Sequence, residues 1–374
     1  MPAAPTVADL ALPMQILPNA TNGLPRYVVG QVIVGGRLQH ATFDAGNPKA
    51  SILTAADCLG CGAGCPKQVP ACPPPAQFCR PSAPQEYVPA GSYQVNASAA
   101  CPPGVLSAGT LDGKVVCQQC FDGGNHARFY HPSTADIFVA TTGAAVPFRA
   151  MRFGALVRVT PATDRIWGNV GIGFGSDFLR QTSTTALGFR LRPPPAASFI
   201  WLNPPASRFS ALPSAAFTVS ANRDFATDVL LGFEHCGSAT FRIDSGNQGV
   251  SIADAGIASA LADNAQGEWA SDGMLMVPAA SWWQPPQLSF AIGAVRIDLP
   301  GKKWVREGGK TIFVRYHKNV LGLPFLFAGD FYFDDDAKKI FFAAATEHDV
   351  NGTAAKTDDG TLPRQSSVGR RRGK

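Results

Sequence analysis

The sequence predicts a mostly-β protein built from two related halves, and three observations carry that expectation. A twelve-residue stretch recurs: Asp44-Ala45-Gly46-Asn47, running on through Ser51-Ile52 to Ala55, returns 200 residues later as Asp244-Ser245-Gly246-Asn247, running on through Ser251-Ile252 to Ala255. Six of the twelve positions are identical, without a gap, and a repeat of that density near the start of each half points to internal duplication. Next, 38 glycines and 31 prolines with no collagen-like period call for many short strands joined by turns. Finally, no sustained 3.6-residue apolar period is present, so helices are expected to be few and short.

Taken in order, residues 1–24 read as a lead-in broken by Pro2, Pro5, Pro13 and Pro18. From Tyr27 to Gly36 the pattern suggests two strands around a tight turn, and Gln39 to Phe43 another strand ending at Asp44. A Cys-rich insertion spans 57–122, where Pro73-Pro74-Pro75 and Pro102-Pro103 oppose regular structure. Ile137–Ala140 and Ala155–Val159 read as strands, with Thr141–Gly154 as the hairpin and tip between them. Trp167–Gly173 is a Gly-punctuated apolar run, and Ser198–Leu202 a strand bracketed by proline clusters. The first lobe is therefore drawn at 25–195 and the second at 196–346. In the second, Asp254–Leu261 reads as a short helix. Leu288–Leu299, Thr311–Tyr316, Phe325–Phe333 and Lys339–Ala344 read as strands, with a turn at Asp334-Asp335-Asp336. Residues 347–374 read as a disordered tail.

Composition narrows the function. With 45% hydrophobic and 16% charged residues among 374, the chain has material for one large core or two medium ones. The net charge is +5, of which the tail supplies +2. No basic face interleaved with aromatics is present, which argues against a nucleic-acid partner. No apolar run approaches the ~20 residues of a membrane span. Met1–Asn22 has neither the basic start nor the apolar centre of a signal peptide. The cysteines nonetheless point to an oxidising compartment: eight of nine lie between Cys58 and Cys120, as in a disulfide-stapled insertion. Cys58-x-x-Cys61 with Cys117-x-x-Cys120 also offers four thiolates for zinc, so bridges and zinc both remain open. Sequons at Asn19, Asn96 and Asn351 agree with a secretory route.

The candidate chemistry lies in the repeat. Two Asp on equivalent Gly turns, each following a strand, would face one another if the halves meet about a pseudo-twofold axis. Carboxylates that close cannot both ionise comfortably, so they share one proton. One can then deprotonate a water while the other, protonated, polarises a carbonyl.

These residues resemble the pepsin-like (bilobal) aspartic proteases. Phe43-Asp44-Ala45-Gly46 and Ile243-Asp244-Ser245-Gly246 match the family's two catalytic loops. Asn169-Val170-Gly171 and Val320-Leu321-Gly322 match the segments that buttress those loops. The run Val320–Leu326, Phe333-Asp334 and Lys339–Ala343 matches the family's C-terminal ending, and the match covers about residues 25–345. The inserted cysteines and Tyr130-His131-Pro132-Ser133 are similar to the nepenthesin-like branch. The resemblance implies an acid-protease fold of two six-stranded-type β lobes with a cleft between them. It implies an endopeptidase acting on peptide or protein substrates, with Asp44 and Asp244 as the catalytic dyad. Gly46, Asn47, Ser245, Gly246 and Asn247 would support it. No cofactor or metal is expected, a monomer is, and the location would be secreted or in the secretory or vacuolar lumen. Asn47 and Asn247 stand where the family often has Ser or Thr, and their amides are expected to donate to the outer carboxylate oxygens. Ala45 replaces a Thr or Ser hydroxyl, leaving Ser245 alone to bond across the loops. Ser51 stands where a Trp usually meets a flap Tyr, and Thr141–Gly154, the candidate flap, has no Tyr; Phe148 or Phe153 would have to cover the site by packing. These departures motivate the alternative of a catalytically impaired pepsin-like protein with a binding or structural role.

Other features have plainer readings. The six His show no ligand spacing, and Asn169 reads as a tolerated polar substitution with a local partner. Cys236 reads as a buried free thiol, Asp334–Asp336 as a turn, and Trp282-Trp283 as loop or core.

Overall fold

A computed structural model of the chain describes residues 9–18, 25–47, 49–53, 59–60, 94–96, 100–101, 105–111, 113–121, 126–143, 145–160, 168–219, 223–278, 285–299 and 304–345. Strands dominate them.

Two copies of one strand arrangement make up the fold. In the first, Pro25–Val34 and Arg37–Asp44 form an antiparallel hairpin, and Gly168–Gly171 lies parallel to Arg37–Asp44, with Val170 opposite Phe43 and Gly171 opposite Asp44. Gly168–Gly171 also meets Ser51–Leu53 antiparallel, and Ser51–Leu53 runs parallel to Val146–Thr160. In the second, Arg223–Leu231 and Glu234–Ile243 form the hairpin, and Val320–Leu321 lies parallel to Glu234–Ile243. Val320–Leu321 meets Val250–Ile252 antiparallel, and Val250–Ile252 runs parallel to Lys310–Arg315. Order and direction agree at each step, so Asp44 and Asp244 leave equivalent strands at equivalent ends. The shared hydrogen bonds are equally matched: Gly171 N donates to Lys49 O and Gly322 N to Gly249 O, both at 3.0 Å.

A six-stranded antiparallel stretch continues the sheet of the first copy, while the second copy's strands form a sheet of their own. The order in that stretch is Leu10–Pro18, Ser198–Leu202, Ala186–Arg190, Gly329–Asp334, Lys339–Ala344, Ser214–Ala216, so the beginning, middle and end of the chain all contribute. One continuous cluster of buried side chains runs from Leu12 through Phe43 and Phe241 to Phe342. Ion pairs on largely buried carboxylates reinforce the junction. Asp330 accepts from Arg190 and Arg192. Arg223 makes a two-pronged 2.7 Å contact with Asp335 while reaching Ile172 O at 3.3 Å, which ties the second hairpin to the first copy. Such pairs resist removal of one partner because the other charge is left buried.

Several expectations are revised. The lead-in contains a strand, Leu10–Pro18, whose alternate residues Leu12, Met14 and Ile16 are buried. Its prolines are tolerated because Leu10–Met14 pairs only with Ser198–Leu202 and Gln15–Pro18 only with Pro25–Val29, so each half has a ladder on one side. Tyr27–Val34 belongs to a single strand, and the tight turn is Gly35-Gly36, both at positive φ. The last part of the proposed insertion is regular: Leu106–Leu111 pairs with Lys114–Phe121, which pairs with His126–Val139. Phe325 lies in a helical turn, Leu323–Leu326, before the strand Gly329–Asp334, and Leu288–Leu299 is two strands around Gly293. The helix predicted from Asp254 is present as Ala255–Ala265, with Asp254 capping Ile257 N. Asp334 caps its turn by accepting from the amides of Asp336 and Ala337. Trp282-Trp283 and the tail lie outside the described residues. Among the described residues no helix is long and apolar enough to cross a membrane.

The two buttressing glycines make the arrangement testable. A Cβ on Gly322 would stand 2.3 Å from both Asn247 O and Gly249 O. Gly322→Ala should therefore destabilise the protein by about 1–3 kcal/mol, read as a lowered urea midpoint. An unchanged midpoint would contradict the close approach.

Candidate active site

The two repeated loops meet. Asp44 ends its strand and Asp244 directly follows Ile243, the last residue of its own, and each turns its Oδ1 back onto the amide two residues on: Gly46 N at 2.9 Å and Gly246 N at 2.7 Å. A Cβ on Gly246 would lie 3.2 Å from Asp44 Oδ1 and 3.1 Å from Asp244 Oδ1, so both carboxylates border one spot. A Cβ on Gly46 would stand 2.3 Å from the Asp244 carboxyl carbon. Glycine at both positions lets the loops pack this tightly.

Ser245 fastens one loop to the other. Its hydroxyl donates to Phe43 O at 2.8 Å and accepts from Ala45 N at 2.9 Å, with the side chain almost wholly buried. Ala45 has no hydroxyl to make the reciprocal pair, as the sequence implied.

The supports beyond the loops differ from expectation. The Asn47 amide turns to Asn169 rather than to the Asp44 carboxylate: its Nδ2 donates to Asn169 Oδ1 at 3.1 Å, and Asn169 Nδ2 donates to Asp44 Oδ2 at 3.2 Å and to Thr42 Oγ1 at 3.1 Å. Asn169, read from sequence as a local polar substitution, is thus the group that touches the outer oxygen. In the second copy its register equivalent is Val320, which has no donor. Asn247 Nδ2 donates to Ser251 Oγ at 2.8 Å, so the expected bond from Asn247 to Asp244 is replaced by one within its own loop. Both Asn do share one role, since Asn47 Oδ1 accepts from Lys49 N and Asn247 Oδ1 from Gly249 N, closing equivalent turns.

The hairpin over the first loop is not Thr141–Gly154. That segment is a turn followed by strand, and Phe148 and Phe153 are core residues, with Phe148 edge-on to Phe178. Residues of the Lys114–Phe121 and His126–Val139 pair reach the loop instead. Gln119 Nε2 donates to Asn47 Oδ1 at 2.8 Å, and Arg128 Nη1 donates to Ser51 Oγ at 3.0 Å. Gln119 and Arg128 are cross-strand partners, so one rung of this ladder grips the loop at two points. The sequence offered no signal for either, because Gln119 lay inside the presumed insertion and Arg128 in an unassigned stretch. Burial pulls the Arg128 guanidinium down from its ordinary value, while the nearby Asp44 carboxylate pulls it back up; an arginine stays charged through such shifts.

Cys101 and Cys117 form a disulfide that pins this hairpin two residues from Gln119. The bridge removes Cys117 from any zinc site made with Cys58, Cys61 and Cys120, which favours the disulfide reading at that position. Cys58, Cys61, Cys65, Cys72 and Cys79 lie outside the described residues. Cys236 is free and buried, and burial raises its thiol above the usual value.

No family model matches the chain, and no curated protein does.

Ser245 gives the sharpest test. Ser245→Ala would strand a buried Ala45 amide and should cost about 1–3 kcal/mol, read by chemical denaturation, whereas Ser245→Thr, which keeps the hydroxyl, should retain most of the stability.

Proposed function

We propose that the chain is an aspartic endopeptidase of bilobal, pepsin-like architecture, with Asp44 and Asp244 as the water-activating pair. The observation that carries this reading is the convergence of two equivalent D-x-G loops, with both carboxylates against one spot and Ser245 bonded across to Phe43 and Ala45. The repeated strand order and the six-stranded junction support the fold assignment.

The mechanism follows from like charges at close range. The pair keeps one proton, because a second ionisation is opposed by the first. The ionised carboxylate takes a proton from a water between the two. The protonated one donates to the scissile carbonyl oxygen as the water oxygen bonds to the carbonyl carbon. Collapse of the tetrahedral adduct then breaks the C–N bond: the amine leaves with the proton that the first carboxylate took from water, and the hydroxyl formed from the carbonyl returns its proton to the second carboxylate as the C=O re-forms. Backbone amides of Gly46 and Gly246 hold Oδ1 of each Asp, leaving the pair pre-oriented. The Cys101–Cys117 bridge supports a secretory or luminal location.

A second reading is favoured by Ala45 and by Arg128. With half of the reciprocal hydroxyl link absent and a cation near Asp44, the site would suit a binding protein that retains the fold but not the rate. The two readings diverge in one experiment. Peptide cleavage at about pH 4 is expected from the wild type, with Asp44→Asn and Asp244→Asn each lowering the rate at least about 10²-fold. Activity surviving either change would remove the dyad assignment. A folded wild type that neither cleaves nor binds a statine-type transition-state mimic would favour the binding protein.

A further inference from the structure

Arg192 and Arg223, buried in the junction, each face a carboxylate, Asp330 and Asp335 respectively. Arg306, beside the second loop, is placed differently. It is half-buried, and its side chain has one polar contact among the described residues, from Nη2 to the main-chain oxygen of Gln248 at 3.5 Å. No carboxylate among those residues pairs with it, and burial holds the guanidinium below its ordinary value. The backbone beneath it is fixed: Arg306 N donates to Lys310 O at 2.6 Å, Gly309 N donates to Arg306 O at 3.2 Å, and Val305 bridges to Thr311. A positive charge is thus held in one place, partly stripped of water, with most of its N–H donors uncommitted among the described residues.

Gln248 ties that charge to the candidate site. It follows Asp244 by four positions, in a loop whose Gly246 is exposed to solvent. The loop's main chain on either side of Gln248 is pressed against the buttressing strand, where a Cβ on Gly322 would stand 2.3 Å from both Asn247 O and Gly249 O. Four residues span at most about 14 Å, and an extended peptide advances ~3.4 Å per residue. A peptide with its reacting bond at the two carboxylates, running along this loop, therefore meets Arg306 within about four residues of that bond.

We propose that Arg306 is a specificity-determining residue: anchored at Gln248 O, it forms a subsite for an acidic side chain, Asp or Glu, of an extended peptide substrate. The inference deepens the protease reading and rests on it for the position of the bond. A guanidinium offers a carboxylate two parallel N–H donors, and a charge that has already lost part of its water is screened less and gains more from an ion pair. A Gln or Asn at the same peptide position offers an acceptor without charge. A Lys there is repelled.

The test varies the peptide before it varies the protein. Synthetic peptides of mixed sequence carry Glu, Gln or Lys at one position at a time, from about four residues before the cleaved bond to about four after it. Their kcat/KM values with the wild type are compared at about pH 5, where a Glu side chain is mostly ionised. One position should favour Glu over Gln by about tenfold and disfavour Lys. Arg306→Gln, which keeps a donor for Gln248 O, should erase the preference at that position and leave the other positions as they were. Arg306→Glu should reverse it in favour of Lys, and Arg306→Lys should keep most of it. Cleavage with no Glu preference at any position, which needs no variant to fold, overturns the proposal and leaves the protease reading intact. A preference that survives in folded Arg306→Gln does the same. If nothing is cleaved, the protease reading falls and the same peptides are scored for binding by fluorescence anisotropy. A Glu preference in binding that Arg306→Gln abolishes then upholds the subsite, and binding without it, or no binding, overturns it.

Discussion

A single hydroxyl holds the two halves of the site in register. Ser245 Oγ bridges Phe43 O and Ala45 N across 200 positions of sequence, and both partners flank Asp44. Neither loop is regular structure, so neither has a ladder to fix it. Each depends on its Asx-type turn, on the Gly that follows the Asp, and on the other loop. The bond is worth more than its nominal ~1 kcal/mol because losing it strands buried polar groups on both sides. Gly46 and Gly246 are the condition for it, since any Cβ at Gly46 would collide with the Asp244 carboxyl.

Given one hydroxyl instead of two, the first loop is braced from elsewhere. Asn169 holds Asp44 from the buttressing strand, Asn47 holds Asn169, and Gln119 holds Asn47. Arg128 completes the ring through Ser51. In the second loop Asn247 bonds Ser251, and Arg306 Nη2 donates to Gln248 O at 3.5 Å. Duplication set the common frame; the two copies then diverged in how each carboxylate is supported.

Much of this frame was legible in the residues, and the limits have physical causes. The Asp loops and the buttressing Gly residues could be found because each is demanded by a local geometry that few residues satisfy: Gly171 and Gly322 sit where a Cβ would strike carbonyl oxygens. Helix Ala255–Ala265 was visible through its Asp254 cap. Leu10–Pro18 was hidden because its prolines argue against a strand unless the pairing is known to be one-sided. The loop-facing hairpin was misplaced because the Cys-rich stretch blurred into it, so Thr141–Gly154 took its role by default. Gln119, Arg128 and the contact of Asn169 with Asp44 rest on long-range placement, for which periodicity carries no signal.

Placement of the two loops and local support of the first have different origins. Placement is a property of the whole molecule: the junction sheet takes strands from residues 10–18, 186–202, 214–216 and 329–344, and Arg223 spans from Asp335 to Ile172 O, just past Gly171. Moving one loop away from the other would therefore disturb strands from the beginning, middle and end of the described residues. Support of the first loop is local, vested in Asn169, Ser51 and one arginine on a hairpin pinned by Cys101–Cys117.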